Sequence, residues 1–431
     1  MQPSPFSRRR SSLWLRKWWP VVLLGVSTVG TYGVGWYSFG VIIGPVKEET
    51  GWSSSSVSAA FSISVLLTGV GAIFAGQMLD RFGGRPVQIV SLATGTALLL
   101  AAVSAQSLPV FVATWGLGAG VLGAGLFYHV TMAITTRLYP EERAAAFAVL
   151  TFTGGFASPV YLPVAGYFVE QFGWRAGVRL LVLMMVVLAA PAAVLISGRK
   201  RDTSITGAHH RPLAGEGEGS VPGAQVEAGS GFGSVREALR SRRVVVMVLM
   251  FAAMWVAIGG MQVHQVPAIQ AAGVSLATAS FIAGLRGFMS LPGRALLGPI
   301  TRWLGTPGAL LAAYVLMFVG LVALAFGGFA GAMAFALVTG VVFGVVSPLQ
   351  GLYSAEVYGQ RRIGSLLGAQ QAVISAASAT GPVALGLLLD AGAGYRAAVG
   401  VAAGMAAVAI VLHLAGMRRA GNGQQLRQRV L

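Results

Sequence analysis

Polar residues in this chain come in short clusters separated by apolar runs of about twenty residues, without the two-residue alternation of a half-buried strand. The runs cover roughly Trp19–Ile43, Val57–Leu79, Val87–Ala105, Val112–Thr135, Ala144–Val169 and Ala176–Ile196. After a break they resume at Val244–Ala268, Ala277–Ile300, Gly308–Phe326, Phe329–Leu352, Ile363–Leu389 and Ala397–Ala415. Each has the length that crosses a hydrocarbon core of about 30 Å. Lipid offers the backbone no hydrogen-bonding partner, so each run must pair its own N–H and C=O groups as helix. The pattern predicts an all-α integral membrane protein with twelve transmembrane helices.

Residues 198–243 interrupt the runs with a stretch rich in Gly, Ser, Ala, Glu and Arg, which reads as a flexible linker. It divides the chain into a basic tail (1–18), a six-helix bundle (19–197), a second six-helix bundle (244–417) and a second basic tail (418–431). The two sides match at a shift of about 220 residues. Leu138-Tyr139-Pro140-Glu141-Glu142-Arg143 falls opposite Val357-Tyr358-Gly359-Gln360-Arg361-Arg362, Pro163 opposite Pro382, Trp174-Arg175-Ala176 opposite Tyr395-Arg396-Ala397, and Gly76 opposite Gly298. A duplication of this kind implies two pseudo-symmetric bundles with a binding site between them near the midplane.

Composition agrees and removes other classes. Hydrophobic residues make up 55% and charged residues 10%, with a mean hydropathy of +0.74, whereas soluble domains are nearer one quarter charged. No cysteine is present, so disulfides and thiolate chemistry are excluded. The five histidines show no metal-ligand spacing, no cofactor motif occurs, and no nucleophile, base and orienting group converge, which argues against an enzyme. Net charge is +17, but the basic residues flank apolar runs on alternate sides and form no nucleic-acid patch. Of the 30 Lys and Arg, 24 fall in the tails, the linker and the even-numbered connections. Four, Lys47, Arg175, Arg179 and Arg396, fall in odd-numbered connections or the first turn of the run that follows, and Arg286 and Arg294 lie inside the eighth run. The positive-inside rule then places both termini and the linker in the cytoplasm. The first run is too long for a signal peptide and lacks a clear small-residue cleavage site, so it reads as a retained helix.

Between the second and third runs stands Gly76-Gln77-Met78-Leu79-Asp80-Arg81-Phe82-Gly83-Gly84-Arg85-Pro86. This loop resembles the signature of the major facilitator superfamily, and the resemblance implies the major facilitator fold. It further implies that Gly76, Asp80, Arg81, Gly83 and Arg85 belong to a cytoplasmic latch, with Asp80 and Arg85 in a charge network that holds the halves together in the outward-facing state. The matching segment Gly298–Gly305 has Arg302 where Asp80 would align. Most of the first half, through Tyr32-Gly33-Val34-Gly35, Ser38-Phe39-Gly40-Val41, Gly51-Trp52-Ser53, Val57-Ser58, Arg143, Ala145 and Gly154-Gly155, is similar to the bacterial monocarboxylate transporter and oxalate–formate antiporter branch. The first-helix Lys of the family's animal members aligns with Tyr37, and where oxalate–formate exchangers use an eleventh-helix Lys this chain has Gln370 and Gln371. Phe156-Ala157-Ser158-Pro159 stands where drug–proton antiporters carry Gly-Pro. By resemblance, Arg294 in Pro292-Gly293-Arg294 takes the place of the eighth-helix Arg that binds a substrate carboxylate, and the family's Asp one turn earlier is Ser290.

Arg286 and Arg294 stand out physically as well, because an Arg inside a span costs roughly 2.5–3.5 kcal/mol on insertion scales. They are separated by about 12 Å along the helix, with Ser290 on the same stripe. All thirteen acids lie in tails, connections or at helix ends, so the cargo is expected to supply the negative charge, which a guanidinium fork accepts bidentately. The alternative is an Arg bonded to carbonyl, Gln or Tyr groups. His129, beside Tyr128, and His264 are candidates for a coupled proton. Tyr32, Trp36, Tyr37, Tyr128, Gln370 and Gln371 are candidates to line the cavity.

The sequence thus predicts a secondary transporter of the cytoplasmic (inner) membrane that moves a small, monocarboxylate-like organic anion by alternating access. A coupled proton or counter-anion is a candidate partner, membrane lipid surrounds the spans, and a monomer is expected. The competing classes are an exporter of amphiphilic drugs and a non-transporting membrane sensor.

Overall fold

The computed structural model describes residues 5–196, 232, 234–359 and 363–430. Among them the chain is helical throughout. The first half contains α1 (Pro5–Tyr32), a π-helical turn (Gly33–Tyr37), α2 (Phe39–Thr50), α3 (Ser54–Phe82), α4 (Gly84–Val103), α5 (Leu108–Leu126), α6 (Tyr128–Leu138), α7 (Arg143–Gly154) and α8 (Ala157–Leu195). The second contains α9 (Val235–Arg240), α10 (Arg242–Gln270), α11 (Leu276–Phe326), α12 (Gly328–Tyr358), α13 (Ile363–Asp390) and α14 (Tyr395–Val430).

Among the described residues, nine stretches are long and apolar enough to cross a membrane. Two of these are hairpins, reversing at Gly173 (φ 75°) and Gly305 (φ 66°), left-handed positions that glycine fills without steric cost. That makes eleven crossings, and α1 with the π turn and α2 forms the twelfth. Serines set several starts: Ser53 accepts from the Ser56 N–H and Ser275 from the Thr278 N–H, capping α3 and α11. The segment before Trp19, expected as a tail, continues the first span as helix from Pro5, and the last span extends to Val430. Most of the expected linker lies outside the described residues. Its end returns as Phe232, whose N–H donates to the Tyr358 carbonyl at 3.3 Å, followed by the short α9.

Three spans of the first half are interrupted near mid-depth. The first carries the π turn, where the Ser38 N–H (2.9 Å) and Oγ (2.8 Å) both donate to the Gly33 carbonyl. The fourth breaks at Phe127, which is extended (ψ 179°), and the fifth at Gly155 and Phe156, between α7 and α8. Phe39, Phe61, Phe111 and Trp115 of the first half and Phe251, Tyr314 and Phe335 of the second are fully buried in one continuous core.

The halves meet along three helix pairs, α2 with α10, α3 with α13, and α8 with α11. The contact is one-sided. Near one end of the molecule a Cβ added to Gly386 of α13 would stand 2.6 Å from the Ser55 Cα, and one added to Gly40 would meet the Gln262 carbonyl at 2.9 Å. Toward the other end of the same α3–α13 pair, Gly69, Gly76 and Gly368 have open space where a Cβ would stand. We call the tight end the sealed end. The other, which carries the Gly76–Arg85 loop, is the basic end.

Candidate functional site

The breaks bring backbone carbonyls and aromatic rings to the centre of the molecule. Tyr32, the last residue of α1, stacks on Phe127 (centroids 3.7 Å) and meets Tyr128 at 5.2 Å. Trp36, in the π turn, packs against Phe61 at 5.2 Å, and its carbonyl accepts from Gln262 Nε2 of the second bundle at 3.4 Å. Tyr37 faces Arg294, Arg286 and the Ser158 hydroxyl. Tyr128 opens α6, lies close to Arg294 and presses its hydroxyl against Gly154. An aromatic wall from the first bundle therefore confronts the arginine-bearing helix of the second.

The two arginines differ sharply. Arg286 is 4% exposed: its Nε donates to Thr339 Oγ1 and its Nη1 to Gln265 Oε1, both at 2.9 Å. The rings of Phe335 (5.3 Å) and Phe343 (5.0 Å) flank its guanidinium. Arg294 is exposed: its Nη1 donates to the Thr151 carbonyl at 3.3 Å, and the Tyr128 hydroxyl stands within hydrogen-bonding reach of its guanidinium. That carbonyl lies in the last turn of α7 and also accepts from the Gly155 N–H at 2.9 Å, so the guanidinium sits at the negative pole of a half-helix. Among the described residues the ion pairs are Lys17–Glu142, Arg137–Asp80 and Arg175–Glu49, and none involves either buried-span arginine. Arg294 thus presents a guanidinium to open space, about 15 Å from the Leu304 end of its span, beside three phenols.

The remaining candidates fall elsewhere. His129 is exposed, and its Nε2 donates to the Ala124 carbonyl at 2.8 Å, satisfying an acceptor that the Phe127 break frees. His264 is 1% exposed in the seam between bundles, its Nε2 3.0 Å from the Pro382 carbonyl and 3.3 Å from Ser58 Oγ, while Nδ1 has no partner. Gln370 is buried, accepts from Ser354 Oγ at 3.0 Å and lines a groove with α9 at the basic end. Gln371 is exposed and donates to Ser375 Oγ of its own helix at 3.4 Å. The structure therefore gathers Tyr32, Trp36, Tyr37, Tyr128 and Arg294, and disperses the two histidines and the two glutamines.

In the signature loop, Asp80 pairs with Arg137 at 2.6 Å, and Arg137 also donates to the Leu79 carbonyl at 3.1 Å. Both bonds stay inside the first bundle. Arg81 lies over Phe82, Gly83 adopts φ 82° and caps α4, and Gly76 and Arg85 face open space and solvent respectively. The sequence missed Arg137, because a basic residue at the end of a span is ordinary topogenic charge. It also missed Gln265 and Thr339, whose pairing with Arg286 depends on three helices meeting.

The sequence profile of the Major Facilitator Superfamily matches residues 26–382. The chain is 26% identical over 213 residues to the oxalate:formate antiporter of Oxalobacter formigenes, covering 47% of this chain and 49% of that protein. It is 31% identical over 180 residues to the multidrug resistance protein MdtL of Escherichia coli, covering 38% and 44%. The matches thus span about half the length of these relatives. Among solved structures, a point mutant of the nucleoside transporter NupG superposes with a TM-score of 0.73 at 10% identity, covering 92% of this chain and 98% of that one. A bacterial homolog of the human lysosomal transporter Spinster, inward-facing and occupied, gives 0.64 at 15% identity, covering 94% and 97%.

Proposed function

The chain belongs to the Major Facilitator Superfamily, and from that premise we propose that it carries a small organic anion bound to Arg294. The observation that supports this reading most is the exposed guanidinium at the inner face of the eighth span, met by a long carbonyl contact and the Tyr128 phenol and, among the described residues, by no acid. A carboxylate completes that site with two short charge-assisted bonds, and Tyr37 and Tyr128 stand ready to donate to the same oxygens. Arg286 is engaged on both faces and at its Nε and Nη1, so a cargo with one carboxylate fits better than one with two. Tyr32, Trp36 and Phe127 offer the apolar wall for the remainder of the cargo.

Alternating access follows from the one-sided contact between bundles. We read the basic end as facing the cytoplasm of a bacterial inner membrane, which makes this arrangement the inward-open state; the pairing of Asp80 with Arg137 inside the first bundle supports that reading. Closing that end would bring the Asp80–Arg137 pair toward α13.

A second reading, export of amphiphilic compounds, draws on the same aromatic wall and on the likeness to MdtL. Thermal stability of the purified protein, screened against carboxylates and lipophilic cations, separates the two. Stabilisation by monocarboxylates that disappears in Arg294→Gln supports the anion reading. Stabilisation by lipophilic cations alone, unchanged in the variant, overturns it in favour of the exporter.

A further inference from the structure

The sealed end is held by two contacts of one design. Glu170 closes the fifth span, and its Oε2 accepts from the Ala277 N–H at 2.9 Å, in the first turn of α11 across the bundle interface. Asp390 closes the eleventh span and accepts from the Ser54 N–H (2.6 Å), the Ser55 N–H (2.9 Å) and Ser55 Oγ (2.5 Å), in the first turn of α3. The pair obeys the internal repeat: Asp390 follows Glu170 at the same shift of about 220 residues that relates the two halves. Each carboxylate also stands four residues after a glycine. Gly166 would place a Cβ 3.2 Å from the Ala277 Cα and 2.5 Å from the Ser280 Cβ, and Gly386 would place one 2.6 Å from the Ser55 Cα. Gly166 and Gly386 are related by that same shift.

The physical logic is common to both. A side chain one turn before the acid would push the neighbouring helix away, and the glycine lets the two ends touch. The first-turn amides of a helix lack intrahelical acceptors and carry partial positive charge, so a carboxylate there is favourable. Ser53 and Ser275 already cap their helices from within, which leaves the N1 and N2 amides for an acceptor from outside. Each bundle thus gives one carboxylate and receives one, and both contacts must part when the sealed end opens.

We propose that Gly166 with Glu170 and Gly386 with Asp390 form a paired gate that sets the balance between the two transport states. The gate favours the state open at the basic end. It does so whatever the cargo, and it therefore stands independently of the Arg294 reading.

The full chain suits the test because it has no cysteine, so introduced pairs can be spin-labelled without background. Gln106→Cys with Ala271→Cys spans the sealed end, and Glu141→Cys with Arg302→Cys spans the basic end. Distances are read by pulsed dipolar spectroscopy of the protein in lipid nanodiscs. Asp390→Asn and Glu170→Gln are each expected to raise the ratio of sealed-end-open to sealed-end-closed molecules about fivefold, lengthening the first distance and shortening the second. The double variant should show the product of the two effects, and Asp390→Glu should restore most of the original ratio. Gly386→Leu should shift the ratio in the same direction with the carboxylate intact. If an acid variant does not yield folded protein, Ser55→Ala removes one donor and should give a smaller shift of the same sign. Unchanged distances at both ends in the double variant, or in Ser55→Ala and Gly386→Leu where the double cannot be purified, overturn the gate. Loss of anion binding in Arg294→Gln bears on the cargo alone and leaves these distances as the measure of the gate.

Discussion

Two arginines eight positions apart on one helix have different surroundings, set by the helices packed against them. Both are costly in a span, and both read as cargo ligands until the neighbouring helices are known. Arg286 meets Gln265 and Thr339 and is covered by Phe335 and Phe343; Arg294 meets the Thr151 carbonyl and the Tyr128 phenol and stays exposed. In this state the first is buried and bonded within the second bundle, and the second is exposed. Gln265→Leu would strip a buried guanidinium N–H of its acceptor, and we expect it to destabilise the protein by about 1–3 kcal/mol, read as a lower melting temperature, with anion affinity unchanged. Arg294→Gln should do the reverse, weakening anion binding about 10- to 100-fold in a titration while leaving the melting temperature of the unliganded protein close to that of the original. If the two variants exchanged phenotypes, the assignment of roles would be wrong.

The helices themselves were legible in the sequence because lipid leaves the backbone no choice, but their interruptions were not. The π turn at Gly33–Tyr37 and the Phe127 break carry no proline, and the residues that sustain them, Ser38 and His129, act through single side-chain bonds. His129, a candidate proton carrier by its residue type, caps the Ala124 carbonyl in the structure. Gly33 shows how tightly the π turn is seated: a Cβ there would stand 2.2 Å from the ring of Tyr161, which is fully buried. We expect Gly33→Ala to cost about 1–3 kcal/mol through overpacking, measured as a fall in melting temperature, and to displace Trp36 and Tyr37 with it. A variant as stable as the original would show that the turn has slack the structure does not reveal.

For the whole molecule, periodic hydrophobicity, the shift of about 220 residues and the signature loop were enough to read twelve spans in two related bundles. The open end was not readable, since it depends on how far α3 and α13 diverge and not on any residue within them. The latch expected from Asp80 has the partner Arg137 inside its own bundle, consistent with a basic end that stands apart. Water-soluble maleimide should therefore label Gly368→Cys far faster than Ser58→Cys, which is buried in the seam beside His264. Comparable rates at the two positions would contradict a one-sided opening.

The central claim is that the cargo is an anion held by Arg294. Its most direct test is counterflow in proteoliposomes: vesicles loaded with a carboxylate that stabilises the purified protein are diluted into a trace of the same labelled anion. Transient accumulation of label by the original protein, lost in Arg294→Gln and retained in Gln265→Leu, is the expected result. Accumulation of the labelled anion at an undiminished rate in Arg294→Gln would contradict the claim.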